Sequence, residues 1–89
     1  MLTIRRLPEF DAWFGGLKDR ATRIRLARRL ERAPVGEGVY EMREAFGPGW
    51  RMYYIQRGSD LIVMLGGGDK STQRGDIAAA KVLAARLEE

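Results

Sequence analysis

Three short runs in the second half of the chain favour β-strands and are separated by two glycine-containing turns. The runs cover residues 39–46, 50–57 and 61–65, and the turns are Gly47-Pro48-Gly49 and Gly58-Ser59-Asp60. Because strands joined by tight turns pair in an antiparallel fashion, the sequence predicts a three-stranded meander. Residues 61–65 are all apolar, which predicts a central strand covered on both faces.

The remaining segments predict one further strand and three helices. Residues 2–7 favour a short strand, and residues 9–17 place apolar side chains at helical spacing. Residues 19–32 predict an arginine-rich second helix, and residues 77–87 predict the last helix. The 89 residues are expected to form a single domain, 1–89. This order predicts an α+β fold, a small antiparallel sheet with helices packed on one face and the other face open to a ligand.

The composition excludes several kinds of chemistry. The chain has no cysteine and no histidine, which removes disulfides, thiol nucleophiles and histidine acid–base catalysis. We therefore expect no metal and no cofactor. The formal net charge is +4 with arginine preferred over lysine, which is compatible with nucleic acid as a partner. No apolar run is long enough to cross a membrane and no signal peptide is visible, so we expect a cytoplasmic protein.

Strand alternation predicts which side chains share a face. Glu41 and Arg43 point to one side of the first meander strand, and Arg51 points to the same side of the second. Lys70 follows the third strand and is expected near the same edge. Two arginines, a lysine and a carboxylate suit phosphoryl chemistry, since the cations neutralise a phosphate and the carboxylate moves a proton. A surface ladder of Glu–Arg pairs explains the same pattern.

The opposite face and the glycine run carry further predictions. Four side chains are core candidates, namely Met42, Trp50, Met52 and Tyr54. The stretch LGGGDKSTQ at residues 65–73 is similar to a phosphate-binding loop, but Asp69 stands where that loop needs a glycine. We expect glycines 66–68 to turn the chain and admit a ligand backbone, with Ser71 or Thr72 capping the last helix.

Four stretches together resemble a known family. They are EFDAWFGGLKD, GEGVYEMR, FGPGWRMYY and GGGDKSTQRGDI, and they are similar to the HigB-like addiction-module killer proteins of the RelE/ParE toxin superfamily. The resemblance implies a RelE-like fold and a toxin of a type II toxin–antitoxin system that cleaves messenger RNA, usually on the ribosome. It also implies neutralisation by a cognate helix-turn-helix antitoxin.

The resemblance extends to single positions. Arg51 matches the family's catalytic arginine. Glu41 and Arg43 fall where related nucleases carry basic or acid–base residues, and Lys70 falls at a basic position after the last central strand. Three more residues are predicted to contact RNA, namely Tyr53, Gln73 and Asp76. Two departures stand out: Trp50 replaces the usual tyrosine, and the stretch RRLERAPVGEG joins the second helix directly to the hairpin.

These predictions lead to three functional hypotheses. The first is a metal-independent, ribosome-dependent endoribonuclease in which the RNA 2′-hydroxyl attacks the adjacent phosphate, with Glu41 as base and Arg43, Arg51 and Lys70 stabilising charge. The second is a ParE-like toxin that poisons DNA gyrase. The third is an attenuated toxin that mainly binds its antitoxin, which the short connection favours. In all three, the arginine-rich second helix, with Arg25 and Arg28, is the predicted antitoxin dock.

Overall fold

The structure is a computed structural model that describes residues 3–17, 31–44 and 47–87. Its elements are β1 (Thr3–Arg6), α1 (Pro8–Gly15), β2 (Glu31–Gly36), β3 (Val39–Glu44), β4 (Trp50–Arg57), β5 (Leu61–Asp69), a 3₁₀ turn (Lys70–Thr72) and α2 (Gln73–Leu87). Pro8 opens α1, because a helix needs no backbone N–H at its first position. The described residues form an α+β fold, as predicted.

The five strands form one sheet in the order β1-β5-β4-β3-β2. The meander of β3, β4 and β5 is antiparallel, as predicted, and β5 lies inside the sheet between β1 and β4. The prediction of an antiparallel sheet is nevertheless wrong for one pair, since β1 runs parallel to β5. β1 and β2 are the two edges of the sheet, and β3, β4 and β5 lead back from β2 to β1, where β5 pairs in parallel; the sheet is therefore mixed.

The helices lie against opposite faces of the sheet, which corrects the prediction that they pack on one face. One buried cluster joins Phe10 of α1 to Met42, Met52, Tyr54 and Met64. The other joins Ala80 and Ala84 of α2 to Val39, Tyr53, Ile55, Val63 and Leu65. Consecutive apolar residues in β4 and β5 give the sheet two apolar faces, and each face needs a helix to exclude water. The core assignment of Met42, Met52 and Tyr54 is confirmed, with Trp50 partly buried beside them.

Residues 31–36 form an edge strand, where the sequence had predicted the end of a helix and a loop. β2 pairs with β3 and has an irregularity between Pro34 and Gly36. Proline lacks a backbone donor and so argues against a strand, but it is tolerated on an edge strand. The supposed direct link between helix and hairpin therefore contains a strand. The rest of the predicted second helix, with Arg25 and Arg28, lies outside the described residues.

The glycine run also differs from its prediction. Glycines 66–68 continue β5 and pair with β4, so they do not turn the chain. A Cβ on Gly67 would collide with the ring of Trp13, and a Cβ on Gly68 would collide with Asp76. These two glycines are needed because side chains press against the strand from opposite faces.

Candidate functional site

A buried carboxylate lies at one end of the face covered by α2. Glu41 of β3 stands directly opposite Tyr53 of β4, and its side chain is only 5% exposed. Its Oε1 lies 3.4 Å from Nε of Arg43 and 4.0 Å from a terminal nitrogen of Arg51. Its Oε2 accepts a 3.4 Å hydrogen bond from the Gln73 side chain in the first turn of α2. The two guanidinium groups compensate the buried negative charge, as a carboxylate in such a place requires.

The three charged groups differ in how far water reaches them. Exposure of the side chain rises from 5% at Glu41 to 14% at Arg51 and 47% at Arg43. A ligand arriving from solvent therefore meets the Arg43 guanidinium first and the Glu41 carboxylate last. The predicted grouping of Glu41, Arg43 and Arg51 on one face is confirmed. The same face is not open, however, because the start of α2 partly covers it.

Two buried polar atoms in this region have no hydrogen-bond partner within the described residues. They are Nε of Arg51 and the hydroxyl of Tyr53. Tyr53 is fully buried under α2, on the same face as Arg51, and its contact with RNA stays a prediction. Burial raises the pKa of the Tyr53 phenol far above its usual range, with the charges of Glu41 and Asp76 adding to this and Arg51 opposing it. The phenol is thus neutral at any physiological pH.

The assignment of Ser71 or Thr72 as the cap of α2 stays a prediction, and the 3₁₀ turn that leads into α2 is capped by Asp69. Its carboxylate accepts hydrogen bonds from the Ser71 backbone N–H at 2.8 Å and the Ser71 hydroxyl at 2.5 Å. These bonds lower the pKa of the Asp69 carboxyl, the side-chain bond more than the backbone bond. The Asp69 N–H in turn donates to the Thr72 hydroxyl, which completes a capping box. The aspartate that disqualifies a phosphate-binding loop is therefore a helix cap.

Thr72 and Asp76 hold the start of α2 against the sheet. The Thr72 hydroxyl donates to Oδ2 of Asp76 at 2.5 Å, and both side chains pack on Gly68. This contact fixes the turn that carries Gln73, whose side chain reaches Glu41. Asp76, predicted to contact RNA, here faces the sheet and accepts a hydrogen bond from the 3₁₀ turn that precedes its helix. Sequence reasoning did not identify Thr72 as its partner, although the spacing of four residues is that of neighbours on a helix.

Lys70 lies near these contacts, because Lys70 and Gln73 line the same groove. Both residues line an open groove of about 460 Å³ together with Ser71, Arg74 and Ile77. The Lys70 N–H bonds to the Pro48 carbonyl at 3.4 Å, and its side chain packs on Gly49. The groove therefore brings a second exposed cation, Arg74, near the predicted site, and sequence reasoning had not named that residue.

The described ranges contain neither a metal-binding cluster of side chains nor a helix that could span a membrane. In those residues no three His, Cys, Asp or Glu side chains come together to hold a metal ion. No helix of the described ranges has the length and apolarity that a membrane span requires. The expectation of a metal-free, cofactor-free reaction stays a prediction.

Comparison with known proteins places the chain in a family. It is 34% identical to an uncharacterized protein of Haemophilus influenzae over an alignment that covers 97% of this chain and 96% of that protein. The two proteins belong to one family. No family model matches the chain, and no solved structure matches it. Membership in this family assigns no activity, and the resemblance to RelE/ParE toxins stays a prediction.

Proposed function

We propose that this protein is an endoribonuclease toxin of the RelE/ParE superfamily, HigB-like in sequence and RelE-like in fold. The observation that carries the proposal is the buried Glu41 carboxylate between the Arg43 and Arg51 guanidinium groups. A plain surface ladder of ion pairs would leave the carboxylate in water, where such pairs contribute little. Here the carboxylate is desolvated, which is a feature of sites that tune acid–base groups.

The proposed reaction needs no metal ion. The 2′-hydroxyl of a ribose attacks the adjacent phosphorus, and Glu41 accepts the hydroxyl proton. The bond from phosphorus to the leaving 5′-oxygen breaks and that oxygen takes a proton from water, which yields a 2′,3′-cyclic phosphate and a 5′-hydroxyl. Glu41 then releases its proton to solvent. Arg43 and Arg51 neutralise the charge that builds on the phosphoryl oxygens, and Lys70 adds positive charge from the groove.

Binding of a phosphate and activation of Glu41 are coupled in this arrangement. In the free protein the guanidinium groups of Arg43 and Arg51 pair with Oε1 of Glu41 and occupy it. A phosphate that draws Arg43 and Arg51 toward itself frees this oxygen to accept the proton of the 2′-hydroxyl. Gln73 must also move, because it covers Oε2 of the same carboxylate.

The proposal includes the biological setting of such a toxin. Messenger RNA on the ribosome is the substrate, a cognate helix-turn-helix antitoxin is the neutralising partner, and the cytoplasm is the compartment. The net charge of +4 supports an RNA or acidic-protein partner.

The test is induced expression followed by mapping of messenger RNA ends, with single-turnover cleavage on programmed ribosomes. Arg51→Ala should slow cleavage by roughly 10²- to 10³-fold, the scale of one lost charge-stabilising donor. Arg51→Lys should restore only part, because a point charge lacks the bidentate fork. The matched control is Arg57→Ala, which removes an exposed arginine from the same face of β4.

Each outcome has a definite meaning. Cuts inside translated reading frames support the ribonuclease, whereas DNA damage without RNA cuts indicates a gyrase poison. Arg51 is mostly buried, so melting curves must accompany the rates. Cleavage by Arg51→Ala at the wild-type rate would show that the proposed site is wrong.

A further inference from the structure

The hydroxyl of Tyr53 is a buried donor for which the proposed reaction has no role. Tyr53 is fully buried, and its hydroxyl has no hydrogen-bond partner within the described residues. A buried hydroxyl without a partner is unfavourable, and phenylalanine would fill the same space without that penalty. The position of this hydroxyl beside the catalytic carboxylate points to a function.

Tyr53 is the cross-strand neighbour of Glu41. The two residues are paired in register between β3 and β4 and lie on the same face. Directly opposite residues in a sheet have Cβ atoms about 5 Å apart, which is within reach of side-chain contact. Arg51 precedes Tyr53 by two residues on this face and already contacts Glu41. The tyrosine is thus a fully buried neighbour of Glu41 on this face, and the Glu41 charge acts on its phenol.

We propose that Tyr53 is a positioning residue whose hydroxyl holds the Glu41 carboxylate when a phosphate occupies Arg43 and Arg51. The inference rests on the proposed function, since it assigns a role at the same site. Without substrate, the two arginines and Gln73 satisfy Glu41. When the arginines turn to the phosphate, the carboxylate needs another donor, and the Tyr53 hydroxyl supplies it from the buried side. The free carboxylate oxygen then faces the 2′-hydroxyl.

The phenol is suited to this role because it stays neutral. Burial and the charges of Glu41 and Asp76 oppose its ionisation, so its proton is available throughout the working pH range. The groups that face Glu41 are Arg43 from its own strand, Arg51 and Tyr53 from β4, and Gln73 from α2. Two of these groups carry a donor without a partner within the described residues, Nε of Arg51 and the Tyr53 hydroxyl. Only the Tyr53 hydroxyl stays behind when Arg51 turns to the phosphate.

The test is Tyr53→Phe, which keeps the ring and removes the hydroxyl. Single-turnover cleavage should slow by roughly three- to tenfold, the factor that one neutral hydrogen bond supplies. The acidic limb of the pH–rate profile should move to higher pH, because a carboxylate that loses a donor is more easily protonated. Melting temperature should stay level or rise, since the hydroxyl has no partner to lose. A fall in melting temperature together with an unmoved pH profile would show a structural role and overturn the proposal.

A second measurement does not depend on cleavage. The Glu41 carboxyl is followed by carbon-13 NMR during a pH titration, with and without a short RNA that carries a 2′-deoxyribose at its cutting site. In the presence of this RNA, the pKa of Glu41 should be higher in Tyr53→Phe than in the wild type. The control is Tyr54→Phe, which alters a buried tyrosine on the opposite face and should leave the titration unchanged.

The two failures are distinguishable. A wild-type protein that binds the RNA but never cuts it contradicts the ribonuclease, while the titration still decides the role of Tyr53. Identical Glu41 titrations in wild type and Tyr53→Phe overturn the role of Tyr53, whatever the cleavage assays give. Absence of any effect of the RNA on the Glu41 titration overturns this role as well. It would mean that the RNA does not replace the arginines by Tyr53 as the donors to Glu41.

Discussion

The two faces of the sheet come from alternate residues of the same strands, yet they differ in chemistry. Under α1, Met42, Met52, Tyr54 and Met64 meet Phe10 in a wholly apolar cluster. Aromatic contacts extend this cluster, with Phe10 and Phe14 stacked at 5.5 Å and Tyr40 and Tyr54 stacked at 5.6 Å. Under α2 the sheet is apolar at one end only. At the other end the same strands place Glu41, Arg51 and Tyr53.

The difference shows how a chain of 89 residues can keep buried charged groups on one face of its sheet. A domain of this size buries only about 60% of its unfolded surface, so each buried polar group is a sizeable loss. The buried cluster of the α1 face holds no charged side chain and supplies mainly hydrophobic stabilisation. The α2 face includes an ion-paired carboxylate and unpartnered donors, which contribute little to stability because their desolvation offsets the pairing.

The largest expected effect is on the apolar face. Phe10→Ala should lower the free energy of unfolding by about 3–5 kcal/mol, because it removes a buried ring and leaves a cavity. The rate of RNA cleavage per folded molecule should stay within about twofold of wild type, since Phe10 touches no residue of the site. Urea unfolding and single-turnover cleavage measure the two quantities. Val82→Ala, at a half-exposed position of α2, is the control. Equal losses of stability and rate would contradict the division of roles.

Substitutions at two adjacent glycines test the two faces of the sheet separately. Gly67→Ala pushes a Cβ into Trp13 on the α1 side, and Gly68→Ala pushes one into Asp76 and to 2.7 Å from the Thr72 hydroxyl. Each should lower stability by about 1–3 kcal/mol through overpacking. Only Gly68→Ala should also slow cleavage, because it displaces the 3₁₀ turn that carries Thr72 and Lys70, and Lys70 supplies positive charge in the proposed reaction.

The control for both is the third glycine of the run. A Cβ on Gly66 meets no atom within 4 Å, so Gly66→Ala should be neutral or slightly stabilising. Melting curves rank the three variants, and cleavage rates distinguish the two harmful ones. Equal cleavage by Gly67→Ala and Gly68→Ala would mean that the start of α2 does not position the site.

Much of the fold could be predicted because the relevant signals are local. Residues 50–57 are strand β4 as predicted, since their strand-forming residues lie between two glycine turns. Strand alternation correctly placed Glu41, Arg43 and Arg51 together, because the two-residue period depends on the backbone alone.

The errors arise where long-range packing outweighs a local signal. Pro34 and Gly36 argue for a loop, but pairing with β3 makes their segment an edge strand. Glycines 66–68 argue for a turn, but Trp13 and Asp76 need the space that they leave. The burial of Glu41 and Tyr53 follows from the path of α2 across the sheet, which no sequence period encodes. Thus the sequence could predict which of these side chains lie together, and it could not predict how deeply they are buried.

The smallest expected effect is a pH dependence of stability that comes from Tyr53 on the α2 face. Tyr53 on the α2 face has a raised pKa in the folded protein, whereas the pKa of a tyrosine in an unfolded chain is about 10. Below pH 10 the phenol is neutral in both states and stability does not depend on its titration. Above pH 10 the unfolded state loses the proton first, so the folded state loses stability as pH rises, by at most about 1.4 kcal/mol per pH unit. Tyr53→Phe removes this dependence, and its melting temperature should fall less steeply than that of the wild type between pH 10 and pH 11. Parallel curves for the two proteins would mean that the Tyr53 phenol ionises in the folded state as readily as in water, and that this end of the α2 face is as open as the sequence first predicted.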